Sequence, residues 1–154
     1  MVAREKTKSH CDEYEEQIRA AGGIDFQILG VGRSGHIGFN EPGSLPDSRA
    51  RRVWLDECTR QDAASTFGGL GDVPVEALTM GIGTIMESRE IAIIALGRRK
   101  SAIVGHLINE LPTKAVPASF LQTHPRITAY LDNAAAKHLA PFKSNIETTV
   151  QPTP

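Results

Sequence analysis

The sequence contains little of what several large protein classes require. Its two cysteines, Cys11 and Cys58, are too few for a disulfide framework, and we interpret both as thiols in a reducing cytoplasm. The formal net charge is −1 with both signs interspersed, which argues against binding to nucleic acid or to an anionic membrane surface. No window approaches the roughly 18 apolar residues of a membrane-spanning helix, and residues 1–16 lack the apolar segment of a signal peptide. These absences predict a soluble cytoplasmic domain.

Helical and strand patterns alternate along residues 1–139, which we predict to form a single α/β domain. Apolar runs predict strands at 25–29, 51–56, 90–96 and 126–131, and helical patterns predict helices at 11–21, 75–87, 98–110 and 132–139. The polar and glycine-rich segment 57–72 predicts a mobile flap, and residues 140–154 predict a disordered tail. This order predicts a mainly parallel sheet whose ligands bind beyond the carboxyl ends of the strands.

The strongest candidate site is the segment 26–44, FQILGVGRSGHIGFNEPGS, in which a short strand runs into a glycine-rich loop. His36 and Glu41 lie close together in that loop. Histidine titrates near neutral pH and a neighbouring carboxylate orients it, so the two residues together predict a site for proton transfer. Taken singly, a hydrogen-bonded loop histidine and a solvated turn glutamate are the more common cases.

The glycines of this loop also match the GxGxxG pattern of dinucleotide-binding loops. That function requires a helix that begins at the third glycine and directs its amides at the pyrophosphate. The next residues, HIGFNEPGS, contain two glycines and a proline, which oppose a helix. We therefore reject a nicotinamide site. The remaining histidines and both cysteines show no metal-ligand spacing, so no metal site is predicted either.

A second candidate is the basic triplet Arg98-Arg99-Lys100, which follows the apolar strand 90–96. The triplet can be a solvated turn, or an anion site in which the lysine and helix N-terminal amides meet a phosphate. Basic residues at a helix N-terminus oppose the helix dipole, and a bound anion would relieve that conflict, which favours the anion site. Because both candidates follow strand ends, we predict that they share one site.

At GVGRSGHIGFNEPGS the sequence resembles glucosamine-6-phosphate deaminase, also called glucosamine-6-phosphate isomerase, and the resemblance extends over residues 11–139. The related 6-phosphogluconolactonases share the Gly-His loop but not the FNEPG continuation. The resemblance implies a Rossmann-like three-layer sandwich that converts glucosamine 6-phosphate to fructose 6-phosphate and ammonia, without a metal or organic cofactor, in N-acetylglucosamine catabolism. The family often forms trimers or hexamers, so the resemblance leaves a homo-oligomer open.

The resemblance also implies roles for individual residues. His36 matches the histidine that opens the sugar ring, Glu41 matches the carboxylate that orients it, and Lys100 matches the lysine that holds the phosphate. Gly35 is expected to contact the substrate. Ser34 replaces the usual Asp or Asn of the catalytic relay, and we expect its hydroxyl to hydrogen-bond within the relay without supplying charge.

Other matches and departures bear on activity. Residues 57–72 match a lid in which Ser65 replaces an arginine that meets the phosphate. Ser44 and Arg51 match an allosteric amino-sugar phosphate site of some members, but Val53 replaces its next basic residue. The resemblance begins about two-fifths into the family's usual length, so the general-base aspartate and a Ser-Gly-Gly phosphate loop have no counterpart here.

From that incompleteness we expect an open sheet edge, exposed apolar surface and slow or absent turnover by the isolated chain. The predicted function is that of a glucosamine-6-phosphate deaminase homologue whose fold is incomplete relative to the family. The alternative is a non-catalytic module that binds a sugar phosphate or another subunit.

Overall fold

The computed structural model describes residues 2–139 and 147–151, which form two sheets connected by helices. In chain order the elements are α1 (Val2–Ala20), β1 (Phe26–Gly30), β2 (Arg51–Trp54), α2 (Glu57–Phe67), β3 (Glu76–Thr79), α3 (Ile82–Met86), β4 (Glu90–Ala95), α4 (Ser101–Asn109), β5 (Ile127–Asp132) and β6 (Glu147–Gln151). Short 3₁₀ helices occupy Leu70–Asp72, Arg98–Lys100, Pro117–Thr123 and Ala135–His138. None of the helices described is both long and apolar enough to cross a membrane.

The main sheet has the strand order β1-β4-β5-β6, and all three of its pairings are parallel. Strands β2 and β3 form a separate antiparallel pair. The predicted α/β fold with a mainly parallel sheet is therefore confirmed. The buried face of the main sheet and the apolar side of α4 form one hydrophobic core, in which Ile91, Ala129 and Leu121 are completely buried.

The predicted helix over residues 75–87 is wrong for its first half. Residues Glu76–Thr79 form β3, whose four residues pair with β2, and only Ile82–Met86 are helical. The backbone of Gly81 separates the two elements and lies against the loop before β2. A Cβ atom on Gly81 would lie 2.0 Å from the carbonyl oxygen of Ser48, so a continuous helix of larger residues cannot occupy this position.

The structure gives the predicted flap a defined secondary structure, which leaves its mobility a prediction, and differs from the prediction at residues 132–139. Most of the predicted flap is the helix α2, whose N-terminus is capped by the Asp56 carboxylate accepting from the Cys58 N–H at 2.8 Å. Residues 132–139 form no α-helix, because β5 continues to Asp132 and only Ala135–His138 form a 3₁₀ helix.

The predicted disordered tail is also revised in part. Residues 147–151 form β6, which pairs in parallel with β5. Three of the five residues in the segment ETTVQ are β-branched, which suits an added strand at the edge of a sheet. Residues 140–146 and 152–154, the rest of that prediction, lie outside the described residues.

Candidate active site

The loop after β1 folds back so that the imidazole of His36 lies over Gly32. The Gly32 N–H donates to the His36 carbonyl at 2.9 Å, and the Gly35 N–H donates to the Gly32 carbonyl at 3.0 Å. A Cβ atom on Gly32 would lie only 2.1–2.4 Å from three atoms of the imidazole. Gly35 has a φ of +83°, and a Cβ atom there would meet the Val116 side chain at 2.8 Å. The loop can therefore hold the histidine in this position only if residues 32 and 35 have no side chain.

Three side-chain oxygens surround Nδ1 of His36. Ser34 Oγ and Thr59 Oγ1 each lie 3.0 Å from this nitrogen, and Glu41 Oε2 lies 3.2 Å away. The His36 and Glu41 side chains are 15% and 12% exposed, so bulk water screens their interaction little. The structure therefore brings the three predicted relay residues together and adds Thr59 to them.

The hydrogen bonds around Nδ1 indicate which nitrogen of His36 can accept a proton. The Ser34 hydroxyl donates to Glu41 Oε2 at 3.3 Å, so its oxygen is left to accept from Nδ1. With the proton of the neutral ring assigned to Nδ1 on this basis, Nε2 carries the lone pair. In the described part of the chain, no protein group hydrogen-bonds to Nε2. This nitrogen is available to a ligand.

Contacts outside the loop position the carboxylate of Glu41. Its Oε1 atom accepts from the backbone N–H of Asp56 at 3.2 Å. The preceding residue, Asn40, is completely buried and donates through Nδ2 to the carbonyls of Ile37 and Met80 at 2.9 and 2.8 Å. These bonds tie the segment before Glu41 to the end of β3, because Met80 follows that strand directly.

Lys100 lies on the same cleft as His36. The cleft has a volume of about 460 Å³ and is lined by the end of β1, the glycine loop, α2 and the turn before α4: Gly30, Val31, Gly32, His36, Gly38, Thr59, Asp62, Ala63 and Lys100. Strands β1 and β4 are parallel neighbours, so the loops that follow them meet at one edge of the sheet. The structure thus places the two predicted strand-end residues at one cleft.

An ion pair also joins α2 to the glycine loop. Arg33 Nε donates to Asp62 Oδ2 at 2.9 Å, and Arg33 Nη2 lies 2.6 Å from Asp62 Oδ1. The hydrogen bond from Arg33 lowers the pKa of the Asp62 carboxyl below its ordinary value, and the charges of Arg33, Lys100 and Arg99 act in the same direction. Together with the contact of Thr59 to the imidazole, this pair holds α2 against the loop.

Sequence reasoning missed Thr59, Arg33 and Asp62. The available signal was the three-residue spacing of Thr59 and Asp62, which places both on one face of a helix. That signal becomes visible only when residues 57–67 are recognised as helical, and their composition favoured a flap.

Ser44 and Arg51 are joined at a second cleft. Arg51 donates through Nη2 to Ser44 Oγ at 3.0 Å and through Nη1 to Asn40 Oδ1 at 2.9 Å. Burial lowers the pKa of Arg51. The second cleft, of about 480 Å³, is also lined by Glu41 and by the exposed Trp54. No group of three or more His, Cys, Asp or Glu side chains in the described residues could hold a metal ion.

These features define a Rossmann-like α/β protein with a histidine–carboxylate site at the carboxyl edge of its parallel sheet. The chain belongs to the glucosamine-6-phosphate isomerase/6-phosphogluconolactonase family, whose model matches residues 1–129. This match confirms the resemblance that the loop sequence indicated.

Individual relatives agree with the family match. The chain is 52% identical over 130 residues to a glucosamine-6-phosphate deaminase of Mycolicibacterium smegmatis, covering 84% of this chain and 50% of the relative. A glucosamine-6-phosphate deaminase of a Geobacillus species is 47% identical over 133 residues, covering 86% of this chain and 53% of the relative. The chain spans about half the length of these curated relatives.

Solved structures show the same fold. A monomeric glucosamine-6-phosphate deaminase matches with a TM-score of 0.84 and 41% identity, over 86% of this chain and 55% of the solved chain. The 6-phosphogluconolactonase of Trypanosoma brucei matches with a TM-score of 0.67 and 21% identity, over 88% of this chain and 55% of the other, which shows a shared fold alone.

Proposed function

We propose that this chain carries the ring-opening and phosphate-binding part of a glucosamine-6-phosphate deaminase. The overall reaction takes glucosamine 6-phosphate and water to fructose 6-phosphate and ammonia. The observation that carries the proposal is the His36 imidazole, paired with Glu41 at 3.2 Å, on the same cleft as Lys100. Relatives that are 46–52% identical are glucosamine-6-phosphate deaminases, which favours that activity over lactone hydrolysis. We place it in the amino-sugar metabolism of the cytoplasm.

His36 acts on the closed sugar ring. Opening requires a proton to leave the hydroxyl on C1 and a proton to reach the ring oxygen as the bond from C1 to that oxygen breaks. Nε2 takes the first proton and returns it to the ring oxygen, because Nδ1 is occupied by the oxygens around it. Glu41 balances the charge of the imidazolium, and the hydroxyls of Ser34 and Thr59 keep the ring in one orientation.

Lys100 holds the substrate at the other side of the cleft. Its ammonium pairs with the phosphate, which fixes the distance between the phosphate and the reacting end of the sugar. The glycines that line the cleft, Gly30, Gly32 and Gly38, leave it free of side chains where the sugar approaches, whereas a Cβ atom on Gly35 would point at Val116.

The later steps need a further base. Transfer of the C2 proton to C1 of the open amino aldehyde, with a proton passing from the amino group to the aldehyde oxygen, gives a hydroxyl at C1 and an imine at C2, which water hydrolyses to the ketone and ammonia. From the resemblance we expect the aspartate for that transfer in the half of the relatives that this chain does not match. We propose that this half completes the site. The solved deaminase is monomeric, so one copy of each half suffices.

The experiment compares binding of glucosamine 6-phosphate and glucosamine by isothermal titration. We expect Lys100→Gln to weaken binding of the phosphate ester about tenfold or more, since a hydrogen bond to a charged group contributes roughly 1.5–3 kcal/mol, and to leave glucosamine unaffected. His36→Gln should leave phosphate-ester affinity nearly unchanged but abolish ammonia release by the chain reconstituted with the unmatched half. Equal affinity of the unchanged chain for both sugars would contradict the proposal.

Two substitutions favour a second candidate, a non-catalytic sugar-phosphate-binding module. Ser34 supplies neither the carboxylate nor the carboxamide of the family's Asp or Asn, and Ser65 on α2 lacks the guanidinium of the family's lid. Such a module binds glucosamine 6-phosphate but releases no ammonia even when the unmatched half is present. The reconstituted assay therefore separates the two functions.

A further inference from the structure

The ion pair between Arg33 and Asp62 lies at the edge of the cleft, and the steps described so far do not use it. Asp62 lines the cleft together with Lys100. Arg33 reaches the carboxylate through two nitrogens, with Nε 2.9 Å from Oδ2 and Nη2 2.6 Å from Oδ1. Both side chains are about 40% exposed, so solvent screens the pair and the pair contributes little to stability. The guanidinium is therefore held beside the cleft by a contact that is easily exchanged.

Two further cations lie close to the Asp62 carboxylate. The hydrogen bond from Arg33 lowers the pKa of that carboxyl most, and the charges of Arg33, Lys100 and Arg99 lower it further. Among the ion pairs of the described residues, none includes Arg99 or Lys100. Three cations beside one carboxylate give these four groups a net charge of +2. That charge suits a phosphate monoester, which carries about −1.5 to −2 at neutral pH.

The guanidinium of Arg33 has the geometry to bind such an anion. Two of its nitrogens already face the two oxygens of a carboxylate, and the same planar fork matches two oxygens of a phosphate. The ammonium of Lys100 is a compact point charge without this directional fork. Arg33 can therefore add orientation to a phosphate site to which Lys100 contributes charge.

We propose that Arg33 is a specificity residue of the phosphate site, and that the phosphate of the sugar displaces the Asp62 carboxylate from its guanidinium. The inference rests on the proposed function, in which Lys100 holds the same phosphate. Asp62 keeps the guanidinium beside the cleft and cancels part of its charge until a phosphate competes for the same two nitrogens. Repulsion between the phosphate and the carboxylate favours the release of Asp62. Arg33 thereby selects phosphate esters over neutral sugars.

A purely structural role for the ion pair makes a different prediction for one of its two partners. If the pair only holds α2 against the glycine loop, the loss of either partner should weaken phosphate binding to the same extent. If Asp62 competes with the phosphate, the loss of Asp62 should strengthen binding, whereas the loss of Arg33 should weaken it. Substitutions of the two partners therefore separate competition for the guanidinium from a structural contact.

The test measures binding of glucosamine 6-phosphate, inorganic phosphate and glucosamine to the full chain by isothermal titration. We expect Arg33→Gln to weaken binding of both phosphates about tenfold, because it removes a charge-assisted hydrogen bond, and not to weaken binding of glucosamine. Asp62→Asn should strengthen binding of both phosphates about two- to fivefold, because an exposed ion pair no longer has to be broken.

The exposed ion pair of Arg89 with Asp25 provides matched controls. These residues directly precede β4 and β1, at the edge of the sheet opposite the cleft, and Arg89 Nη1 lies 2.6 Å from Asp25 Oδ1. Arg89→Gln and Asp25→Asn remove the same charges away from the cleft, so both should bind phosphate like the unchanged chain. The ¹⁵N signals of the His36 ring should stay in place in Arg33→Gln. A shift of those signals would assign Arg33 to the structure of the loop and overturn the proposal.

The proposal is also overturned if Arg33→Gln binds phosphate as tightly as Arg89→Gln, or if Asp62→Asn binds it no more tightly than the unchanged chain. Lys100→Gln distinguishes such a failure from a failure of the proposed function. If Lys100→Gln weakens binding and Arg33→Gln does not, the inference alone fails. If Lys100→Gln has no effect, the proposed phosphate contact of Lys100 fails, whatever the result for Arg33.

Discussion

Gly32→Ala tests the idea that the glycine loop exists to accommodate His36. A Cβ atom at position 32 would lie 2.1 Å from Cε1, 2.3 Å from Nε2 and 2.4 Å from Nδ1 of the ring. Ordinary van der Waals contact begins at about 3.4 Å, so the ring must move by more than 1 Å. A shift of that size breaks the contacts of 3.0 Å that Nδ1 makes with Ser34 and Thr59.

We expect Gly32→Ala to lower the stability of the protein only slightly and its activity strongly. Losing a hydrogen bond of the imidazole should cost about 0.5–1.5 kcal/mol of unfolding free energy, measured by urea denaturation. Misplacing a reacting group by about 1 Å can reduce a rate roughly a hundredfold. We therefore expect Gly32→Ala to remain folded but to lose about two orders of magnitude in ammonia release when reconstituted with the unmatched half of the fold.

Gly71→Ala is the control, because Gly71 lies outside the cleft, in the 3₁₀ helix Leu70–Asp72, and a Cβ atom there would meet nothing within 4 Å. Neither glycine has a positive φ, so neither substitution strains the backbone. The ¹⁵N and ¹H shifts of the His36 ring should change in Gly32→Ala and not in Gly71→Ala. If the ring signals and the activity of the two variants match, the steric reasoning is refuted.

Three further predictions concern the surroundings of the site. Thr59→Val should shift the His36 ring signals and lower the unfolding free energy by about 1 kcal/mol, whereas Thr59→Ser should resemble the unchanged chain; equal behaviour of the two would contradict a hydrogen bond at Nδ1. The folded-state pKa of Asp62 is lowered, so its pair with Arg33 should stabilise the protein above the unfolded carboxyl pKa and lose that effect as pH falls through the folded value. Because both side chains are about 40% exposed, Asp62→Asn should lower the free energy of unfolding by only about 0.2–1 kcal/mol at neutral pH and not at all in strong acid. A loss of stability that persists in acid would contradict the proposed contribution of the ion pair. Cys11 is 5% exposed and burial raises the pKa of its thiol, so a short alkylation pulse followed by mass spectrometry should modify it only in urea; rapid labelling of the folded protein would show that α1 is not packed as described.

The parts of the fold that the sequence predicted well are those with local signals. The run EIAIIAL marks β4 because a strand in the core of a parallel sheet needs apolar side chains on both faces. His36 and Glu41 could be paired because both lie in one loop after one strand. Their chemistry and their spacing are visible without any tertiary contact.

The parts that could not be predicted depend on contacts between distant segments. Residues 76–79 have a helical pattern, and they become β3 because the antiparallel pairing with β2 supplies their backbone hydrogen bonds. The break at Gly81 reflects its approach to Ser48, which lies 33 positions earlier in the chain. Propensity and periodicity within one window contain no information about either contact.

Thr59 shows what these distant contacts mean for the site. Two of the three oxygens at Nδ1 come from the loop itself, and the third comes from α2, 23 residues further along the chain. The same helix begins beside Asp56, whose N–H donates to the other oxygen of Glu41. Any displacement of α2 from the loop therefore removes a hydrogen-bond partner from both the imidazole and the carboxylate at once. We therefore predict that, if α2 closes as a lid over the proposed sugar phosphate, this closure restores the orientation of the His36 ring when the substrate is enclosed.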